Sequence, residues 1–198
     1  LFDAGTNINA SGSSNVIGIA DGTYNGGMPF SFAGTTADKE LTNRGIISAG
    51  DKSAVLYAKN NAAMLNAGTV TVGKESVGLY GVSVNDVENK GTINVGENSK
   101  GIYLKDGVLT GVLNSGKILS SSDAAVGIIS DYNGGSTTLI KTTDEIKLTG
   151  ENSVGIYTTG TGIQNVENIG LIEIGVSSDR NNPGMAIYNT GVGNTVLN

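Results

Sequence analysis

Five acidic residues recur at similar places along the chain and are the first candidates for chemistry: Asp51, Glu75, Glu97, Asp123 and Glu151. Stacked carboxylates could bind calcium, or could act as the acid pair of a glycan-cleaving enzyme. The calcium-binding repeat Gly-Gly-x-Gly-x-Asp is absent, however, and Lys52 and Lys74 accompany the acids. We therefore interpret this acidic column as a solvated rim.

Catalytic chemistry of other kinds lacks its usual residues. The 198 residues include no histidine and no cysteine, which excludes a Ser-His or Cys-His nucleophile and a thiolate metal site. The only arginines, Arg44 and Arg180, lie far apart in sequence. The net charge is −6 and no basic cluster is present, so a nucleic-acid partner is not expected. We predict a binding or spacing module that needs no cofactor and no metal, and not an enzyme.

A repeated phrase, Asn-x-Gly-x-Ile-x-Val-Gly, organises the chain. Clear copies start at Asn66, Asn89 and Asn168, weaker ones at Asn43, Asn114 and Thr143, and Asn198 opens another, at intervals of 23 to 30 residues. A second phrase, Ser-x-Gly-Ile-Tyr, follows in clear form at 76–80, 99–103 and 153–157 and in degenerate form after the other copies within the chain. Repeats of this length indicate a solenoid.

Apolar residues alternate within both phrases, which is the two-residue period of a β-strand. In the first phrase the inward positions are predicted to be buried, as at Ile93, Val95, Ile172 and Ile174, with Thr92, Asn94 and Glu173 facing water. In the second phrase Ile102, Val154 and Ile156 are predicted to be buried, and Lys100, which stands two residues before Ile102 where the other coils have an apolar residue, is an exception. A third short strand precedes each asparagine. Three strands in about 23 residues predict an all-β, right-handed parallel β-helix of about seven coils, forming one domain over residues 1–198.

The repeated asparagines are predicted to form a buried ladder. Asparagine tolerates sharp turns, and stacked side-chain amides can hydrogen-bond from coil to coil. The members of this predicted ladder are Asn43, Asn66, Asn89, Asn114 and Asn168.

Two features are candidates for binding. A column of tyrosines at the end of the second phrase is predicted to point outward, where it could contact a partner or simply stabilise the coils. Insertions at about 21–40, 130–138 and 177–184 break the repeat, and the first carries two phenylalanines that could bind a partner or pack on the coils. The candidate residues are Tyr24, Phe30, Phe32, Tyr57, Tyr80, Tyr103, Tyr157 and Tyr188.

Both phrases, seen in Asn89–Gly96 and Ser153–Tyr157, resemble the passenger repeats of monomeric (type Va) autotransporters, especially the large fusobacterial outer-membrane adhesins. The resemblance covers the chain from about residue 5 to its end. It implies a fragment of a longer cell-surface passenger that a C-terminal barrel, outside this sequence, anchors in the bacterial outer membrane. It also implies attachment to a surface protein or glycan receptor on another cell, with a role in virulence.

Three functions remain open at this stage. The chain could be an adhesin segment, which the resemblance and the insertions favour. It could be an inert stalk that presents a distal tip, which the regular coils support equally well. The acidic column alone suggests a carbohydrate-active β-helix enzyme.

Overall fold

The protein is described by a computed structural model that covers residues 1–21 and 40–198. The secondary structure of these residues consists of β-strands connected by turns and bends. The strands are β1 (Asn7–Ala10), β2 (Val16–Asp21), β3 (Glu40–Asn43), β4 (Ile46–Ala49), β5 (Ala54–Lys59), β6 (Ala63–Asn66), β7 (Thr69–Val72), β8 (Val77–Asn89), β9 (Thr92–Asn94), β10 (Lys100–Asn114), β11 (Lys117–Ser120), β12 (Val126–Asp131), β13 (Thr138–Thr142), β14 (Glu145–Leu148), β15 (Val154–Thr159), β16 (Gln164–Asn168), β17 (Leu171–Ile174), β18 (Met185–Asn189) and β19 (Thr195–Leu197).

Every strand pairs in parallel with its equivalents in the neighbouring coils. The first sheet has the order β1-β4-β7-β9-β11-β14-β17. A second sheet of 12 strands forms two faces, because the long strands β8 and β10 run through both. We call these the tyrosine face (β2, β5, the first halves of β8 and β10, β12, β15 and β18) and the asparagine face (β3, β6, the second halves of β8 and β10, β13, β16 and β19). The predicted right-handed parallel β-helix is confirmed.

The number of coils is close to the prediction. Seven strands stack in the first sheet, so about six turns of the solenoid connect them. One predicted repeat start was wrong by one residue. Thr142, and not Thr143, pairs with Asn114 on one side and with Asn168 on the other. Because this coil has a threonine where its neighbours have asparagine, the repeated phrase does not determine its register.

The core lies between the three faces and consists of the inward members of each strand. In the first sheet Val70, Ile93 and Ile118 are in register and fully buried. Ile102, Val95 and Ile156 are buried as predicted, while Thr92, Asn94 and Glu173 are only partly buried. Ile172 and Ile174 were predicted to be buried and are only half-buried, because β17 is an edge strand and is covered from one side.

The alternation predicted for the second phrase was wrong at its first position. Val154 is half-buried, whereas Gly155 and Ile156 are both buried. Two consecutive inward residues mean that the strand bends at the glycine. A Cβ on Gly155 would lie 2.6 Å from Cγ2 of Ile172, so this position faces the core and has no room for a side chain. The position of Lys100 faces outward in every coil, so Lys100 fits the observed pattern and is no longer an exception.

Candidate functional site

The outer surface of the tyrosine face carries a continuous column of large side chains. Its backbone positions are in register: Tyr57, Tyr80, Tyr103, Ile129, Tyr157 and Tyr188. The tyrosines point outward because their neighbours on either side point inward. Leu56 and Ala58, for example, are fully buried, whereas Tyr57 between them is half-buried. The predicted outward direction of this column is therefore confirmed.

The tyrosine rings stack on one another along the solenoid axis. The ring centroids of Tyr57 and Tyr80 are 5.3 Å apart and the planes are tilted by 36°. The ring centroids of Tyr80 and Tyr103 are 5.2 Å apart, with an angle of 14° between the ring planes. Those of Tyr157 and Tyr188 are also 5.2 Å apart, with an angle of 16°. These values fall in the range of favourable aromatic pairs. The column therefore forms two ladders, one of three rings and one of two, separated by Ile129.

Stacking determines which parts of the rings a partner could contact. Inside a ladder each ring face lies against the next ring, so the faces of Tyr80 are covered on both sides. The ring edges and the hydroxyl groups remain on the outside. A partner that approaches the middle of a ladder therefore meets a ridge of hydroxyl groups, and a free aromatic face exists only at the end of a ladder.

Two further outward columns flank the tyrosines. Three residues before each member of the column, Ile129 included, the side chains are mostly apolar: Ala54, Val77, Lys100, Val126, Val154 and Met185. Two residues after it they are mostly polar: Lys59, Val82, Lys105, Asp131 and Thr159. The face is therefore apolar along one side and polar along the other, as is common in protein binding sites.

The environment of Tyr103 differs from that of an exposed tyrosine. Partial burial raises the pKa of the Tyr103 hydroxyl above its usual value, and the charges of Asp131 and Asp106 and the neighbouring Tyr80 raise it further. The carboxylate of Asp131 is therefore close enough to influence this ring. Tyr103 stays protonated, and can donate a hydrogen bond, throughout the physiological pH range.

The second insertion, at about 130–138, is a folded loop next to the tyrosine face. It begins where β12 ends, at the corner that follows the tyrosine strand. Its own tyrosine, Tyr132, was not a candidate and is 6% exposed. The Tyr132 hydroxyl accepts a hydrogen bond from the backbone N–H of Ser136 at 3.1 Å. Gly162 packs against the ring and leaves no space for a Cβ, so Tyr132 anchors the loop.

The third insertion, at about 177–184, lies at the opposite corner, between β17 and β18. Oγ of Ser178 donates a hydrogen bond to Oε2 of Glu151 at 2.7 Å, which ties the insertion to the preceding coil. Hydrogen bonds from the backbone N–H of Asn181 and the side chain of Asn182 lower the pKa of Asp179. The insertion is thus held by its own polar groups and by the coil beneath.

The first insertion was predicted to bind a partner or to pack on the coils. Its candidate residues Tyr24, Phe30 and Phe32 lie outside the described residues, so this hypothesis stays a prediction. The strands that flank it, β2 and β3, place its two ends at the same corner as the second insertion.

The acidic column is not a continuous stack of carboxylates, because a lysine interrupts it after its first member. When the coils are aligned on the buried serines Ser53, Ser76 and Ser99, the residue between Asp51 and Glu97 is Lys74 and not Glu75. The backbone N–H of Lys74 donates to Oδ1 of Asp51, and its Nζ lies 2.7 Å from Oε1 of Glu97. Alternating charges of this kind neutralise one another and leave no carboxylate pair at this point. Residues 1–21 and 40–198 contain no group of three or more acidic side chains able to hold a metal ion.

A serine ladder was missed by the sequence reasoning. The backbone N–H of Asn15 donates a hydrogen bond to Oγ of Ser53 at 3.0 Å. In the same way, the N–H of Ser53 donates to Oγ of Ser76 at 3.0 Å, and the N–H of Ser76 donates to Oγ of Ser99 at 2.9 Å. The residues just before these serines, such as Glu75 with a φ of 55°, have left-handed backbone. The available signal was the constant position of these serines, four residues before Tyr57, Tyr80 and Tyr103. This ladder supports the corner from which each tyrosine strand starts.

Comparisons with protein families, with curated proteins and with solved structures find no match to this chain. Within the part of the chain that the structure describes, no helix has the length and apolar character needed to span a membrane.

Proposed function

We propose that this chain is a segment of a cell-surface adhesin, of the autotransporter passenger type, that attaches to a protein or glycan receptor on another cell. The observation that carries the proposal is the in-register column of outward tyrosines on one face of the solenoid. The resemblance of its repeats to those of fusobacterial adhesins adds the cellular setting, a bacterial outer membrane to which the parent protein is anchored.

The tyrosine face has the physical properties of a binding surface. Tyrosine offers a large apolar ring and a hydroxyl group on a side chain with few rotatable bonds, so it loses little entropy on binding. Here the ladder holds the rings of Tyr57, Tyr80 and Tyr103 in place before any partner arrives, and the flanking columns add apolar and charged groups. Such preorganisation lowers the cost of association.

The test is a cell-attachment assay that compares the chain with a variant lacking the first ladder. The variant replaces Tyr57, Tyr80 and Tyr103 by isoleucine, a residue that the column itself accepts at Ile129. A matched control changes Lys147→Gln on the first sheet, where Lys147 contacts Glu173 at 2.9 Å far from the tyrosines. We expect the triple variant to keep its β-sheet circular dichroism spectrum and lose attachment, while the control attaches normally.

One other function has support from a specific observation. The buried asparagine ladder makes each coil hold the next, as a stalk that only spaces a distal tip would need. If the unmodified chain attaches to no cell or glycan surface at any concentration tested, the stalk replaces the adhesin segment. Release of reducing sugars from polysaccharides by the chain would overturn both in favour of an enzyme.

A further inference from the structure

The tyrosine column has a gap, and the gap has the dimensions of a ring. Ile129 pairs with Tyr103 on one side and with Tyr157 on the other, so it occupies the position of one missing tyrosine. Two strand spacings of about 4.8 Å separate the flanking residues, which places their rings roughly 10 Å apart. Neighbouring rings in the ladders are 5.2 or 5.3 Å apart, so one further ring fits between them.

The two walls of this gap are the free ends of the ladders. Tyr103 stacks on Tyr80 with one face, and Tyr157 stacks on Tyr188 with one face. The second face of each ring therefore lies on the side of the Ile129 coil. The isoleucine side chain is shorter than a tyrosine and half-buried, so it forms an apolar floor below the space that a tyrosine ring would fill.

Polar groups lie along one edge of the gap. Asp131 follows Ile129 by two residues, and Lys105 pairs with Asp131 in the neighbouring strand. Asp131 already accepts a hydrogen bond at Oδ1 from Nδ2 of Asn133, at 3.2 Å, and its second oxygen offers a further acceptor. Asp131 and Lys105 thus offer an acceptor and donors at this edge, and Asp106, whose charge also acts on Tyr103, adds a second carboxylate nearby.

We infer that this gap, the Ile129 slot, binds a single neutral pyranose ring of a surface glycan between Tyr103 and Tyr157. The inference rests on the proposed function and names its ligand class. A pyranose has apolar C–H groups on its faces and hydroxyl groups around its edge. Its faces match the two tyrosine rings, its edge matches Asp131 and Lys105, and an anionic sugar gains nothing from a site that already holds a carboxylate.

The test fills the slot with a ring from the protein itself. Ile129→Tyr completes the ladder and should melt at the same temperature as the unmodified chain or higher, since it adds two aromatic pairs. Ile129→Val is the matched control, because it keeps the floor apolar and leaves the slot open. Each protein is applied to a printed array of neutral and anionic pyranose glycans, and affinity for the bound glycans is measured by titration.

The expected result is binding to neutral glycans by the unmodified chain and by Ile129→Val, with a loss of about tenfold or more in Ile129→Tyr. Equal glycan binding by Ile129→Tyr, or selective binding of anionic glycans, would overturn the inference. Attachment to cells with no glycan binding would also overturn it and would leave the adhesin proposal standing. If the chain neither attached to cells nor bound glycans, both the glycan inference and the adhesin proposal would be wrong.

Discussion

Nδ2 of Asn66 donates a hydrogen bond to Oδ1 of Asn89 at 2.8 Å, and both side chains are fully buried. Asn66 in turn accepts a hydrogen bond from Asn43 at 2.8 Å, and Asn89 donates to Asn114 at 2.7 Å. Each amide in the middle of this ladder thus acts as donor to one coil and as acceptor from another. In the fifth coil the Thr142 hydroxyl accepts from Asn114 at 3.0 Å and takes the place of an amide.

Replacing Asn89 by alanine should lower the free energy of unfolding by about 1–3 kcal/mol, because Asn66 and Asn114 are left buried without this partner. Chemical denaturation measures the loss. Asn89→Thr should cost less, since Thr142 shows that a hydroxyl fits the ladder. Asn94→Thr should also cost less than Asn89→Ala, because Asn94 lies on the outer side of its strand, where water can replace its hydrogen bond to the Thr71 hydroxyl. Equal stability of Asn89→Ala and the unmodified chain would show that the ladder contributes nothing.

The inward glycines of the tyrosine strands should not tolerate a methyl group. A Cβ on Gly101 would lie 2.7 Å from the carbonyl oxygen of Gly127 and 2.8 Å from Cγ2 of Ile118, so Gly101→Ala should destabilise the protein by about 1–3 kcal/mol. Gly5→Ala is the matched control, because no atom outside its chain neighbours lies within 4 Å of its Cβ position. A thermal melt of Gly101→Ala that matches the control would contradict the bend assigned to this strand.

High pH should weaken the tyrosine face. The pKa of Tyr103 is raised in the folded state, mainly by burial, so its contribution to stability is fully present below the unfolded value of about 10 and is lost as the pH rises through the folded value. The near-ultraviolet absorbance of tyrosinate, followed during an alkaline titration, measures this directly. Tyr103→Ile should remove the component that titrates above the ordinary range of tyrosine, and an unchanged curve would contradict the raised pKa of Tyr103.

The first insertion should matter for attachment and not for the fold. Replacing residues 22–39 by Gly-Ser-Gly should leave the melting temperature nearly unchanged, since the cost of loop closure depends only weakly on length. Cell attachment should be lost if Phe30 and Phe32 belong to the adhesive surface, and glycan binding at the Ile129 slot should persist. A large fall in melting temperature would instead assign the two phenylalanines to the core.

Much of the fold follows from patterns that depend on local geometry alone. The two-residue alternation around Ile93 and the recurrence of asparagine identify strands, coil length and the buried ladder, because side chains of a strand alternate strictly and each coil must repeat its neighbour's contacts. The outward direction of Tyr57 and Tyr80 follows from the same alternation. These features need no knowledge of how one face packs on another.

The tertiary structure decided the features that depend on contacts between faces and between coils. Gly155 faces the core because Ile172 of the next coil fills the space above it, which bends the strand and turns Val154 outward. Lys74 lies between Asp51 and Glu97 only once the serine ladder sets the register. The Ile129 slot exists because an isoleucine lies between two stacked ladders. Sequence determines which residues repeat, whereas register and packing determine which of them meet, since both depend on atoms more than 20 residues away in the chain.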